Sequence, residues 1–153
     1  MLMMSSASAA DWPLWEAYLQ GFLQKDGRVI DRSCGADSTT SEAQAYTLFF
    51  ALLANDRARF AQLLNWTQNN LAAGDLTRQL PAWCWGVDKT GHWRVLDNNS
   101  ASDANMWLAY TLLQAGSLWQ APRYTRLGQA LLVNIKTQEV LVLPGLGPML
   151  LPG

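Results

Sequence analysis

Apolar residues recur at helical spacing over most of the chain. Trp12, Trp15, Leu19, Phe22 and Leu23 mark one face of a first segment, with the three- and four-residue steps of an amphipathic helix. Asp11-Trp12-Pro13 reads as a cap followed by an early helical proline, and Gly27 reads as the stop. Residues 28–40 are rich in Asp, Ser, Thr and Gly and predict a loop. A second helix is expected to start near Ser41, its apolar face marked by Tyr46, Phe49, Phe50 and Leu53. Asn55-Asp56 breaks it and caps a third, carrying Phe60, Leu63, Leu64 and Leu71, which Gly74 stops.

From 80 to 97 the period changes. Trp83, Trp85 and Val87 fall on alternate positions, Asp88-Lys89-Thr90-Gly91 turns, and Trp93 and Val95 alternate again. This predicts a short β-hairpin near 82–96. Trp83 and Trp85 are expected on opposite faces, one toward the core and the other toward a cleft. A fourth helix is predicted from about Ser102 to Leu118. Pro122 opens a fifth, with Tyr124, Leu127, Leu131 and Ile135. Residues 139–143 are β-prone, and 144–148 read as loop. Tyr46-Thr47-Leu48 with Ala51 resembles Tyr110-Thr111-Leu112 with Ala115, a faint repeat at a spacing of roughly 64 residues. Two helical hairpins in a shared register predict an all-α array. Two hairpins do not close a ring, and the apolar end of the chain reads as a truncation.

Composition narrows the partner. The chain has 153 residues, half of them apolar and 15% charged, enough for one domain with a real core. Net charge is −1 with no basic run, which argues against nucleic acid. No segment is long and apolar enough to span a membrane as a helix. Eight tryptophans first suggest a large aromatic core; the excess suits a groove for something flat and neutral, such as a pyranose ring with its apolar C–H faces. Cys34 and Cys84 leave one disulfide open. Neither stands at a metal-ligand spacing, and His92 is the single histidine, so neither a zinc site nor a Ser–His–Asp triad is expected. No cofactor is implied. Residues 1–10 carry the small-residue patterns of an export-signal remnant, without its positive start or long apolar stretch. They point to a periplasmic or secreted protein whose domain runs over 11–153.

Two motifs place a carboxylate where a polar loop becomes an apolar helix: Thr40-Ser41-Glu42-Ala43-Gln44-Ala45-Tyr46 and Ser100-Ala101-Ser102-Asp103-Ala104-Asn105-Met106-Trp107. Helix starts favour carboxylates because free N–H groups and the dipole's positive end gather there. In the plain reading Glu42 supports one helix start and Asp103 caps another. Trp107 and Trp119 then pack at helical spacing. Tyr46, one turn after Glu42, either lines a site or packs.

The stretch Ala101-Ser102-Asp103-Ala104-Asn105-Met106-Trp107-Leu108-Ala109-Tyr110 resembles the signature of glycoside hydrolase family 8. Thr40-Ser41-Glu42-Ala43-Gln44-Ala45-Tyr46 resembles that family's Thr-Ser-Glu-Gly-Gln-Ser-Tyr element. Similar blocks run in the same order through Gly27-Arg28-Val29-Ile30-Asp31, Asn55-Asp56-Arg57, Trp66-Thr67-Gln68-Asn69-Asn70-Leu71 and Leu80-Pro81-Ala82-Trp83. In detail they are most similar to family members that accompany bacterial cellulose synthesis, which implies a functional link to a cellulose synthase. The resemblance implies the N-terminal part of an (α/α)6 barrel and an endo-β-1,4-glucanase (a cellulase) that inverts the cleaved centre.

Inverting hydrolysis needs one carboxylic acid that protonates the leaving oxygen and a second carboxylate that activates water on the opposite face. The acid must hold its proton near neutral pH, which burial or a nearby negative charge arranges. By the resemblance, Glu42 is the proton donor. Asp103 bonds sugar hydroxyls, Trp83 stacks on a sugar, and Tyr46, Gln44 and Ser102 complete the substrate-binding set. No residue of the chain corresponds to the family's general base, so residues 1–153 alone are expected to lack turnover. Two positions depart from the family pattern: Ala43 stands for glycine and Asn105 for aspartate. Ala43 adds a methyl that would crowd a sugar, and Asn105 removes a charge near the acid. The alternative is a fragment that binds or scaffolds glucan without cutting it.

Overall fold

Five helices and two small antiparallel sheets make up residues 12–153, which are the residues the computed structural model describes. The export-signal reading of 1–10 and the capping reading of Asp11 lie outside the described residues. Helix α1 (Pro13–Phe22) starts on its proline and buries Trp15 and Leu19. Strand β1 (Thr39–Thr40) leads directly into α2 (Ser41–Leu53), followed by α3 (Arg57–Leu71). Strands β2 (Cys84–Val87) and β3 (Trp93–Asp97) form the expected hairpin. Helices α4 (Ser102–Leu118) and α5 (Pro122–Gln138) form the second helical hairpin, and strands β4 (Val140–Leu143) and β5 (Gly147–Leu150) close the chain. The core lies where α2 packs on α3 and α4, and α4 on α5, with Leu48, Phe60, Leu63, Leu108, Leu112 and Leu131 fully buried.

The repeat seen in the sequence is a repeat of turns. At the end of α2, Ala54 N donates to Phe50 O, Asn55 N to Leu52 O and Asp56 N to Ala51 O. At the end of α4, Trp119 N donates to Ala115 O, Gln120 N to Ser117 O and Ala121 N to Gly116 O. Both are Schellman closures, with Asn55 (φ 52°) and Gln120 (φ 53°) in the left-handed position. Each turn then runs straight into the next helix. The Trp119 indole donates to Asn55 Oδ1 (2.8 Å), so one turn is bonded to the other.

Four expectations need correction. Gly27 does not end α1, which stops at Phe22. Leu23 bridges Val29, and Gly27 (φ 98°) makes the turn between them. A Cβ there would lie 2.5 Å from Gln62 O, so the chain passes too close to α3 for any side chain. The loop 28–40 ends in strand β1, which pairs with β2 (Thr39↔Trp85, Thr40↔Cys84) and is too short for a periodic signal. Residues 144–148 are the turn and first strand residues of the β4–β5 hairpin, because Pro144-Gly145 supplies a tight turn between two apolar strands. Trp83 and Trp85 do turn to different neighbours, but strict alternation would keep positions two apart on one side. The register break between Cys84 and Trp85 parts them.

Cys34 and Cys84 are joined in a disulfide with a sequence separation of 50. The bond ties the 28–40 loop to β2. Replacing both cysteines by serine is expected to lower stability by about 4 kcal/mol through the freed loop entropy, read as a lower urea midpoint. At the α4–α5 crossing, a Cβ on Gly116 would fall 2.2 Å from Thr125 Oγ1 and 2.8 Å from Thr125 N. Gly116→Ala must push the helices apart and is expected to cost about 1–3 kcal/mol, measured in the same titration.

Candidate active site

Thr40 does two jobs. Its backbone belongs to β1, and its hydroxyl caps α2 by accepting from Ala43 N (3.2 Å). Glu42 therefore stands in the first turn of α2, beside the positive end of the helix dipole. The next hydrogen bond beyond the ladder, Ser41 N to Trp83 O (3.0 Å), brings the chain ahead of β2 against the helix start. The Trp83 indole donates Nε1–H to Glu42 Oε1 (3.1 Å), and the Ser41 hydroxyl donates to Glu42 Oε2 (3.0 Å). Both carboxyl oxygens are held while the side chain remains half-buried.

Asp103 occupies the matching place in the first turn of α4 and is exposed. The Tyr46 hydroxyl donates to its Oδ2 (2.8 Å), across a separation of 57 residues. Burial, this bond and the negative charges of Asp103 and Glu42 push the Tyr46 phenol up to about 12. One phenol thus senses both carboxylates, and the two helix starts open on a common polar patch. Glu42, Trp83, Tyr46 and Asp103 are brought together.

Gln44 and Ser102 are not, and both are corrections. Gln44 is fully buried: its Oε1 accepts from Val29 N (2.7 Å), and its Nε2 donates to Gly27 O (3.2 Å) and Thr67 Oγ1 (3.0 Å). Two residues past Glu42 the helix has turned through half a revolution, so this amide points into the core and fastens the 27–29 turn to α2 and α3. Ser102 is buried. Its backbone N–H donates to Pro152 O (2.9 Å), tying the start of α4 to the end of the chain.

The two departures also resolve. Ala43 packs partly buried against the core. Asn105 is fully buried and donates Nδ2–H to Glu139 Oε1 (2.8 Å), which also accepts from Ser100 Oγ. The charge that Asn105 lacks would face the Glu139 carboxyl inside the protein, not the Glu42 group. An amide there supplies the donor that a buried carboxylate needs. Sequence reading missed Glu139, whose one signal was a carboxylate between a helix and a β-prone run. It placed Trp107 in the packing, where the ring meets Tyr46, Phe49 and Tyr110. Trp107 is 39% exposed and lines a shallow apolar patch with Phe49, Met106 and Tyr110. Trp119 packs on Phe60 and Tyr124. Among the described residues, no helix is long and apolar enough to cross a membrane.

Comparison with known proteins agrees with this arrangement. The family model described as Glycosyl hydrolases family 8 matches residues 1–153. An endoglucanase of Escherichia coli O157:H7 is 54% identical over 149 residues, covering 97% of this chain and 40% of the relative. One of Xanthomonas axonopodis pv. citri (strain 306) is 54% identical over 142 residues, covering 93% and 37%. Among solved structures, an endo-1,4-D-glucanase from Vibrio fischeri ES114 superposes with a TM-score of 0.89 at 49% identity, over 94% of this chain and 41% of that one. The family 8 endoglucanase Cel10 from Klebsiella pneumoniae gives 0.81 at 31% identity, over 93% and 44%. The chain thus spans about 40% of the length of the relatives it matches most fully.

The raised Tyr46 phenol gives a direct test. Its folded value lies above the ordinary 10.0, so its contribution to stability is complete below pH 10 and fades as pH rises toward 12. In a difference titration at the phenolate absorbance band, Tyr46 is expected to ionise near 12. Asp103→Asn removes an anion that penalises the phenolate and is expected to bring that ionisation down toward 10.

Proposed function

The chain belongs to glycosyl hydrolase family 8, and from that membership we propose that its parent protein is an endo-β-1,4-glucanase with Glu42 as the proton donor. The observation that carries the reading is the bracketing of one carboxyl at an open helix start by Trp83 and Ser41, beside the Tyr46–Asp103 pair. Endoglucanase relatives at 54% identity support the substrate class.

The bracketing supports one seat for the transferable proton. An indole N–H only donates, so Oε1, which faces Trp83, must remain an acceptor. A hydroxyl donates or accepts, so the proton is assigned to Oε2, with the Ser41 hydroxyl turned aside to leave it free. Oε2–H is then the group presented to a glycosidic oxygen. As the bond to the leaving sugar breaks, the proton passes to that oxygen and Glu42 becomes a carboxylate. The Ser41 hydroxyl then donates to the charged Oε2 that it faces. Trp83 N–H, Ser41 O–H and the α2 dipole all favour this charged product. Asp103, held on Oδ2 by Tyr46, keeps Oδ1 for sugar hydroxyls. The water-activating carboxylate of an inverting reaction is assigned to the part of the relatives' length that this chain does not match. The reading requires no cofactor.

We place the protein in the periplasm or outside the cell, a reading supported by the Cys34–Cys84 disulfide, which persists in oxidising compartments. A functional link to a cellulose synthase belongs to the same proposal and rests on the sequence resemblance.

In a protein spanning the full length of the relatives, Glu42→Gln is expected to lower kcat on carboxymethylcellulose by about 100- to 10,000-fold. Glucan affinity, measured by calorimetry with cellohexaose, is expected to stay within about twofold of the parent, since the amide keeps the acceptor for Trp83. Turnover at the parental rate would remove Glu42 from its role.

A further inference from the structure

On the β2–β3 hairpin a second aromatic group stands apart from the Glu42 bonds. Trp93 stacks on Trp85 across the strands (centroids 4.9 Å apart, planes 21° apart), and Trp66 meets Trp85 edge-on at 5.1 Å. The Arg28 guanidinium lies over both indoles, 4.9 Å from the Trp93 ring and 5.5 Å from the Trp85 ring. Nη1 of Arg28 is fixed by Asp37 O (2.6 Å) and Thr39 Oγ1 (3.3 Å). The turn beneath is held by Asp88, which accepts from Thr90 and His92. Yet Trp93 at the outer end is 48% exposed.

We propose that Trp93, with Arg28 beside it, is a second glucan-binding platform separate from the Glu42–Trp83 contact. The ligand is a strand of neutral β-1,4-glucan. Such a strand is a flat ribbon with apolar C–H faces and hydroxyls along its edges. An indole fixed by its stack on Trp85 and by the Arg28 guanidinium offers that face a surface with little conformational entropy left to lose. Arg28 adds hydrogen-bond donors at the ribbon's edge. A polymer engaged in the cleft meets the platform as a tethered ligand, so a weak contact is enough to raise retention of long chains. The proposal rests on the glucanase reading for its ligand, but it concerns different residues.

The test is native affinity electrophoresis of the 153-residue chain in gels containing hydroxyethylcellulose, a neutral β-1,4-glucan. The chain is expected to be retarded. Trp93→Ala is expected to weaken retardation about tenfold, the size of one aromatic stack, and Trp93→Tyr to restore most of it. Trp83→Ala is expected to remove a separate share. Absence of retardation, or Trp93→Ala running like the parent, overturns the platform. So does a loss confined to gels of anionic carboxymethylcellulose, which would mark simple charge attraction by Arg28 and Arg94. If Trp93→Ala unfolds, fluorine NMR of the 5-fluorotryptophan-labelled chain decides. The Trp93 resonance, assigned through Trp93→Tyr, must move on addition of cellohexaose, and a stationary resonance overturns the proposal. If Trp83→Ala binds like the parent while Trp93→Ala does not, the cleft reading fails and the platform stands.

Discussion

Three consecutive backbone pairings hold the site together. Thr39 faces Trp85, Thr40 faces Cys84, and Ser41 N donates to Trp83 O. The same Thr40 caps α2. A strand of two residues is marginal on its own, so its neighbours must hold it in place. The disulfide anchors the preceding loop to Cys84, and the buried Gln44 amide anchors that loop's other end to α2 and α3. With both ends fixed, Glu42 has one place to go, against the Trp83 indole. The position of the acid follows from backbone register, and the tryptophan completes it.

The second carboxylate is positioned differently. The N-cap of α4 is Ala101, which offers no side-chain bond. The helix start is instead held from behind. Ser100 and Asn105 donate to the buried Glu139, Leu151 N donates to Glu139 O, and Ser102 N donates to Pro152 O. Asp103 on the open side is therefore located by the β4–β5 hairpin that follows α5. Tyr46 then connects the two helix starts. Its phenol, driven up by burial and both carboxylates, stays a donor across the whole physiological range.

Much of this was legible in the sequence. Prolines, caps and apolar periodicity fixed four of the five helix starts, because each signal is local: Pro13, Ser41, Asp56 and Pro122 act within one turn. The start of α4 was read correctly at Ser102 although its cap is tertiary. Glu42, Asp103, Trp83 and Tyr46 were found through motifs, and they do meet. Gln44 and Ser102 were carried along by the same motifs, yet they serve the fold. A motif records that a residue type is required and not which way it points. Strand β1, the reach of Gly27 toward Gln62 and the Glu139 cluster left no periodic trace, since each depends on contacts between distant segments. The stack of Trp85 and Trp93 follows from the hairpin register, which sets them diagonally on one face.

The twin Schellman turns carry a further implication. Each hairpin turns through the same joint, and the two joints are bonded by Trp119 and Asn55. Architecture of this kind is nearly one-dimensional, with each unit leaning on those beside it. Damage in α1 should then spread to α2 and α3 and fade before α5. Hydrogen exchange along the chain would record that as a gradient of protection, in place of a single cooperative step.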